Sequence, residues 1–405
     1  MTAAGDNGLS RKHQIRSFML FCQALIQNEV MAMRARLVDK SDEYVLNHCA
    51  RFLARDNREP RHSYFGLEAE HERARISDAW RFPVVDAHEP SSREEFESGA
   101  YMDFNDVTFV LKEANDGPRF GAVALVTTAG ALNRPIEMKR VGDTLYHAVT
   151  LMVGRGQRHR YRFLIDGSPV LDPVNPQLFQ HSDGSVWSSF FTWEYQETVV
   201  LERWEFTLLD RLVRQILPFE DEQARIFLER GAATAQIPNL HRLDVSVGAA
   251  NYIDKILARE ERHHLPGYRT CLDMIAQVLR RRFPGIAVER IPSDASRSPG
   301  DQRPAVGYNK LYEDMSAGTP WSALVADGWD LNRYDNPTYF VNLLRRHAWT
   351  GAFCHPKYGG NFGAMTWAYL ADSYRVTDPA LPPTTAFDWQ RTIERPYGQS
   401  TEYLG

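Results

Sequence analysis

The sequence predicts an α+β multidomain protein with a helical N-terminal region, a central antiparallel β-sandwich and a helical C-terminal domain. Three observations lead there. Apolar residues recur at helical spacing near the N-terminus, switch to short punctuated runs near residue 103, and return to helical spacing near residue 200. Turn pairs built on Gly, Pro and Asp interrupt the middle stretch at regular intervals. The chain has 405 residues and 43% hydrophobic content, enough for roughly two or three domains with cores of their own. The expected divisions are 1–100, a helical region with a charged linker; 101–197, the sandwich; and 198–405, the second helical domain.

In the first region Ser10 is placed to cap a helix carrying Ile15, Met19, Cys22, Ile26 and Val30. Arg11-Lys12 is not a twin arginine, and Gln23, Gln27 and Glu29 interrupt the apolar patch, so this reads as an amphipathic helix rather than an export signal. Ser41 caps a second helix with Val45, Cys49, Phe52 and Leu53 on one face. From Asp56 to Ser98 the chain is charged and Pro-dotted, as in a surface excursion or linker.

Val107–Leu111, Val123–Val126, Tyr146–Leu151 and Tyr161–Ile165 read as short strands. Gly117-Pro118, Gly142-Asp143, Gly154-Arg155-Gly156 and Asp166-Gly167 punctuate them. Beyond residue 200, one apolar stripe runs from Trp204 through Leu208, Leu209, Leu212, Val213 and Ile216 to Leu217 and stops at Pro218. A second comprises Ala249, Tyr252, Ile253, Ile256 and Leu257. A third comprises Leu272, Ile275, Leu279 and Phe283 and stops at Pro284. The stretch from Arg290 to Pro304 is a polar loop.

The formal net charge of -5 argues against a general nucleic-acid binder. Four cysteines, Cys22, Cys49, Cys271 and Cys354, are far apart and fit buried thiols in a reducing, cytoplasmic setting. No apolar run approaches the ~20 residues of a membrane span. Gly154-Arg155-Gly156 opens like a dinucleotide loop, but a strand follows it where a helix N-terminus would be needed to receive the pyrophosphate. His347 continues the helix face of Phe340, Leu343 and Leu344, and Cys354 fills core. His263-His264 closes a helix, where cations compensate the dipole. No catalytic and no metal-ligating residue is assigned on these grounds.

Two stretches carry resemblances. Tyr161–Gly167, followed by Leu171-Asp172-Pro173-Val174-Asn175-Pro176, resembles the end of the immunoglobulin-like module of the glycogen-binding, isoamylase N-terminal type. Such modules stack sugars on aromatic rings. Ala131-Leu132-Asn133-Arg134 replaces the usual tryptophan, which leaves Trp187 as the candidate carbohydrate-binding residue. The run Phe353–Gly363, with Tyr358-Gly359-Gly360-Asn361 at its centre, resembles the signature of the gluconate 2-dehydrogenase small-subunit (subunit 3) family, and the helices before it fit the same scaffold over roughly half the chain.

That second resemblance implies an accessory, non-catalytic subunit of a flavin-dependent sugar or sugar-acid dehydrogenase. It implies no cofactor on this chain and FAD on a glucose-methanol-choline type partner. His355, Pro356, Tyr358, Gly359, Gly360 and Asn361 are the expected partner-contact residues. Two alternatives are a glycan-binding regulatory or scaffold protein acting through the sandwich, and a self-sufficient enzyme using His355, Tyr358 and distant acids.

Overall fold

The computed structural model describes residues 36–50, 53, 81–130, 134–217, 246–292 and 305–373, with parts of 219–229. The expected helix after Ser10, residues 131–133 and most of the Arg290–Pro304 loop lie outside the described residues. The protein is a mixed α+β structure, with antiparallel sheets in its N-terminal and central parts and a helical C-terminal region.

The strands in chain order are β1 (Arg36–Val38), β2 (Val84–Ala87), β3 (Phe104–Lys112), β4 (Val123–Thr127), β5 (Ile136–Glu137) and β6 (Lys139–Arg140), then β7 (Tyr146–Gly154), β8 (Arg158–Ile165), β9 (Ser168–Val170), β10 (Leu178–Gln180) and β11 (Val186–Phe191). One sheet has the order β1-β7-β3-β2, with β6 also on β7. The other has the order β10-β11-β8-β4-β5, with β9 on β8. All the pairings are antiparallel.

The sheets share one core. Val107, Phe109, Leu111, Leu151 and Val153 come from the first; Leu125, Tyr161, Phe163 and Phe190 come from the second. The rings of Phe109, Tyr161 and Phe190 meet edge to face at 5.0–5.8 Å, the arrangement their quadrupoles favour. Burial alternates along β4, as period two requires of a half-buried strand. The phrase at 171–176 has a defined task. Asp172 accepts a hydrogen bond from the buried Tyr161 hydroxyl at 2.6 Å and from the amides of Val174 and Asn175, and Asn175 Nδ2 donates to the same hydroxyl oxygen.

β3 is buried along nearly all its length, on both faces. Its second face is covered by the helical turn Asp42–Tyr44 and the π-helical Val45–Ala50, where Val45, Cys49 and Ala50 pack with Leu53, Val84, Val110 and Tyr146. Ser41 caps this segment as expected, its Oγ accepting from Tyr44 N at 3.2 Å. The expectation of a purely helical N-terminal region is corrected here. β1 and β2 come from before residue 100 and join the first sheet. They span three and four residues, too short for period two to register, and β2 lies within the charged, Pro-dotted stretch.

The helices are α1 (Arg93–Ser98), α2 (Arg203–Val213), α3 (Ala249–Ala258), α4 (Leu265–Arg282), α5 (Gly307–Ser316), α6 (Ser322–Ala326), α7 (Pro337–Phe353) and α8 (Met365–Ser373). From α2 onward they build a second core in which Leu208, Leu212, Ile253, Leu272, Ile275, Leu279, Phe340 and Leu344 are buried. A capping box of Glu202 and Glu205 starts α2, and α4 ends just before Phe283 and Pro284, where the sequence stops it. Trp204 is 39% exposed and outside this core, its indole N–H donating to Glu202.

Candidate functional site at the junction of sandwich and helices

α7 delivers the glycine-rich loop into the seam between the sandwich and the helices. His355 opens a tight turn over Pro356–Tyr358, its Nδ1 accepting from Lys357 N at 3.2 Å. Its ring meets Trp193, just past β11, at 5.2 Å and Trp367, on α8, at 5.8 Å, both edge on. Gly359 follows with φ +95, a conformation open to glycine. A Cβ on Gly360 would lie 2.1 Å from the carbonyl oxygen of Gly351, so the backbones of loop and helix touch there. Asn361 is fully buried with φ +45. Its Nδ2 donates to Cys354 O at 2.9 Å and its Oδ1 accepts from Thr366 N and Oγ1 at 3.1 and 2.6 Å. Asparagine tolerates this left-handed backbone while bonding locally, which is what the loop asks of it.

The polar face of α3 grips the chain leaving the sandwich. Asn251 Nδ2 donates to Tyr195 O at 2.9 Å and to Gly359 O at 2.6 Å. Asp254 accepts from three successive amides, Val199, Val200 and Leu201, at 2.7–3.0 Å. Lys255 Nζ donates to Glu197 O and Asn251 Oδ1 and lies 3.3 Å from Asp254. Burial pushes the Lys255 ammonium down to about 8, with Asp254 opposing the shift. None of these three residues was an expected site residue. Their signal was present: polar residues at three- and four-residue spacing within an otherwise apolar helix.

On the sheet face beneath the Asp42–Ala50 segment, Asp86 and Asp106 are cross-strand partners. Asp86 accepts from the Tyr44 hydroxyl and lies 2.9 Å from His48 Nε2. Asp106 lies 2.7 Å from both His88 Nδ1 and Lys40 Nζ. Burial works against the Asp86 charge, but His48, Lys357 and the Tyr44 hydroxyl together hold its carboxyl well below the usual range. The hydrogen bond to Asp106 raises the His88 imidazole above its ordinary value, against the effect of burial. Burial raises the Cys49 thiol far above its ordinary value, which keeps it protonated. Burial first, then Lys357, lowers His355 well below its ordinary value, and Asp86 opposes them.

A cavity of about 20 Å³ among Phe82, Phe190, Phe191, Arg259, Lys357 and Tyr358 lies in this seam, room for about one water. A larger hollow of about 510 Å³ lies along Leu37, Lys40, Ile136, Lys139, Arg140 and Val149. The acids and histidines described at the junction have partners within the chain.

The expected contact residues divide by burial. Pro356, Gly359, Gly360 and Asn361 are buried within the chain, whereas His355, Lys357 and Tyr358 are half-buried at its rim. Trp187 lies apart from them, on the outer face of the second sheet. The Arg162 guanidinium covers its ring at 4.4 Å, and Arg160 and Arg158 lie over Phe179 at 4.2 and 5.6 Å. Among the described residues these three arginines have no carboxylate partner. No described helix is long and apolar enough to cross a membrane.

No protein-family model and no curated protein sequence matches this chain. Among solved structures it is similar to an enterochelin esterase from Shigella flexneri, at 18% identity and a TM-score of 0.20, over 22% of this chain and 30% of that one. It is also similar to a ferric enterobactin esterase from Salmonella typhimurium, at 14% identity and a TM-score of 0.20, over 22% and 32%. This chain therefore spans about a third of the length of either, and an overlap of that kind carries no argument about activity.

Proposed function

We propose that this chain is a non-catalytic accessory subunit, working in the cytoplasm, of a flavin-dependent sugar or sugar-acid dehydrogenase of the glucose-methanol-choline type. It holds the FAD-bearing subunit in a competent state and carries no flavin itself. The supporting observation is the use made of the junction's polar side chains. Asn251, Asp254, Lys255 and Asn361 each bond backbone atoms of the junction, so they serve as ties rather than as acid, base or nucleophile. Such ties make a rigid platform, and a partner docking on it loses little entropy. The rim that remains for docking is Lys357 and Tyr358, with Trp349, 42% exposed and stacked on Phe353 at 5.5 Å, on the same helix end. Co-expression with the cognate flavoprotein tests the reading. Co-purification and a raised FAD content in the partner are expected. Sugar oxidation by the chain alone, or stoichiometric flavin on it, would defeat it.

A second reading has its own observation. The outer face of the second sheet sets Arg158, Arg160 and Arg162 beside Phe179 and Trp187, with no acid among the described residues to neutralise them. If the immunoglobulin-like sandwich takes a glycan, that face fits a chain bearing carboxylates better than a neutral glucan. Calorimetry with an acidic oligosaccharide beside maltoheptaose separates the two.

A further inference from the structure

Away from the junction, three histidines and one glutamate converge where the turn after α3 meets α7. The Arg262–His264 turn carries His263 and His264, and Glu261 precedes it. Glu261 Oε2 lies 3.3 Å from His264 Nε2, 3.7 Å from His263 Nε2 and 3.9 Å from His347 Nε2. Ligand atoms of Glu261, His263 and His264 all lie within 4.8 Å of one another. In a tetrahedral site with metal bonds of about 2.0–2.1 Å, ligand atoms stand about 3.3–3.4 Å apart. The three contacts to one carboxylate oxygen approach that edge length.

The protonation pattern points the same way. Arg346 Nη2 is 3.0 Å from His347 Nε2, and a guanidinium can only donate. His347 Nε2 is therefore the acceptor and Nδ1 carries the proton, donating to the hydroxyl of the fully buried Tyr268 at 2.8 Å. A metal-binding histidine needs this arrangement, with one nitrogen bonded outward to an orienting partner and the other presenting its lone pair to the site. Arg346 Nη2 also lies 3.3 Å from Glu261 Oε2. One exposed cation thus contacts two of the atoms that converge, and its side chain, 56% exposed, is free to turn outward.

We propose that Glu261, His263, His264 and His347 form a binding site for a divalent transition-metal ion of the Zn²⁺ class, pinning the turn after α3 to α7. Imidazole nitrogens with a single carboxylate suit that ion better than Mg²⁺ or Ca²⁺, which take mostly oxygen. The assignment departs from the dipole role that the sequence gives the His263-His264 pair, and it does not depend on the accessory-subunit reading.

The test is Zn²⁺ titration of the untagged full-length chain by calorimetry, with Co²⁺ as the spectroscopic probe. One ion per chain is expected, along with the intense visible bands of four-coordinate Co²⁺ and a melting temperature that rises with added Zn²⁺. Glu261→Gln and His264→Ala should each weaken binding by at least ~10-fold, while Arg346→Ala tightens it by removing the competing cation. His347 is buried, so the more accessible Glu261 and His264 positions carry the test, and circular dichroism confirms that their variants fold. Absence of saturable one-to-one Zn²⁺ binding would overturn the site, as would equal binding by the Glu261→Gln/His264→Ala double variant.

Discussion

Asp86 and Asp106 stand directly opposite each other on β2 and β3, and each carboxylate is matched by its own histidine, His48 and His88. Like charges facing across a ladder are destabilising unless neutralised. The fold answers with partners brought from separate segments, Lys40 and His48 from the segment after β1 and His88 from just after β2.

A pH dependence follows from His88. Its imidazole is raised above 6.5 by Asp106, so its contribution to stability is fully present below 6.5 and is lost as pH rises through the raised folded value. Asp86 behaves oppositely, its contribution being present above 3.8 and lost only in strong acid. Melting temperature followed from pH about 6 to 8 should fall in the wild type, and His88→Gln should flatten the fall. Parallel curves for the two proteins would contradict this.

Lys255 gives a slope of the other sign. Its folded value of about 8 lies below the ordinary 10.5, so between those values the unfolded chain binds more protons and stability rises with pH. Lys255→Met should abolish that rise. At pH 7 it should also cost about 1–3 kcal/mol, because Glu197 O and Asn251 Oδ1 lose their donor. An unchanged alkaline slope would show that Lys255 is not the group responsible.

At Gly360 the obstacle is backbone, the Gly351 carbonyl oxygen, with Tyr252 Cβ at 3.0 Å behind it. Gly360→Val should therefore lower the stability of the chain alone by about 3 kcal/mol, the upper end of overpacking costs. Chemical denaturation of the isolated chain measures it. A variant as stable as wild type would mean that the loop can move off α7.

Trp187 is covered by Arg162 on one face, so a neutral sugar must compete with a guanidinium for the ring. Maltoheptaose binding is expected to be weak or absent. Arg162→Ala uncovers the ring and should strengthen it, while weakening any acidic oligosaccharide. Tight maltoheptaose binding by wild type, abolished in Trp187→Ala, would reverse that picture.

The strands expected at 107–111, 123–126, 146–151 and 161–165 fall within β3, β4, β7 and β8, because their apolar runs are long enough for pattern and punctuation to agree. β1, β2 and β10 were not legible, being short segments whose partners, rather than their own residues, make them strands. Asn361's two uses, a left-handed backbone and a tie within the loop, could be anticipated from residue type. The Asp254 and Asn251 contacts could not, since each joins residues more than fifty apart. The Glu261 and His347 convergence is likewise invisible until α7 folds back beside the turn that follows α3.

The three amides held by Asp254 also constrain the order in which the protein can be completed. A ribosome that has made residue 193 has synthesised every described strand of both sheets, yet the amides of Val199, Val200 and Leu201 wait for Asp254, and the Gly359 carbonyl held by Asn251 comes a further hundred residues later. A nascent sandwich thus emerges with a loose trailing end, and the final latch closes only after α7 is made. A chain cut before residue 249 would keep the sheets but lose the clasp, so its exit segment should be the first point of proteolytic attack.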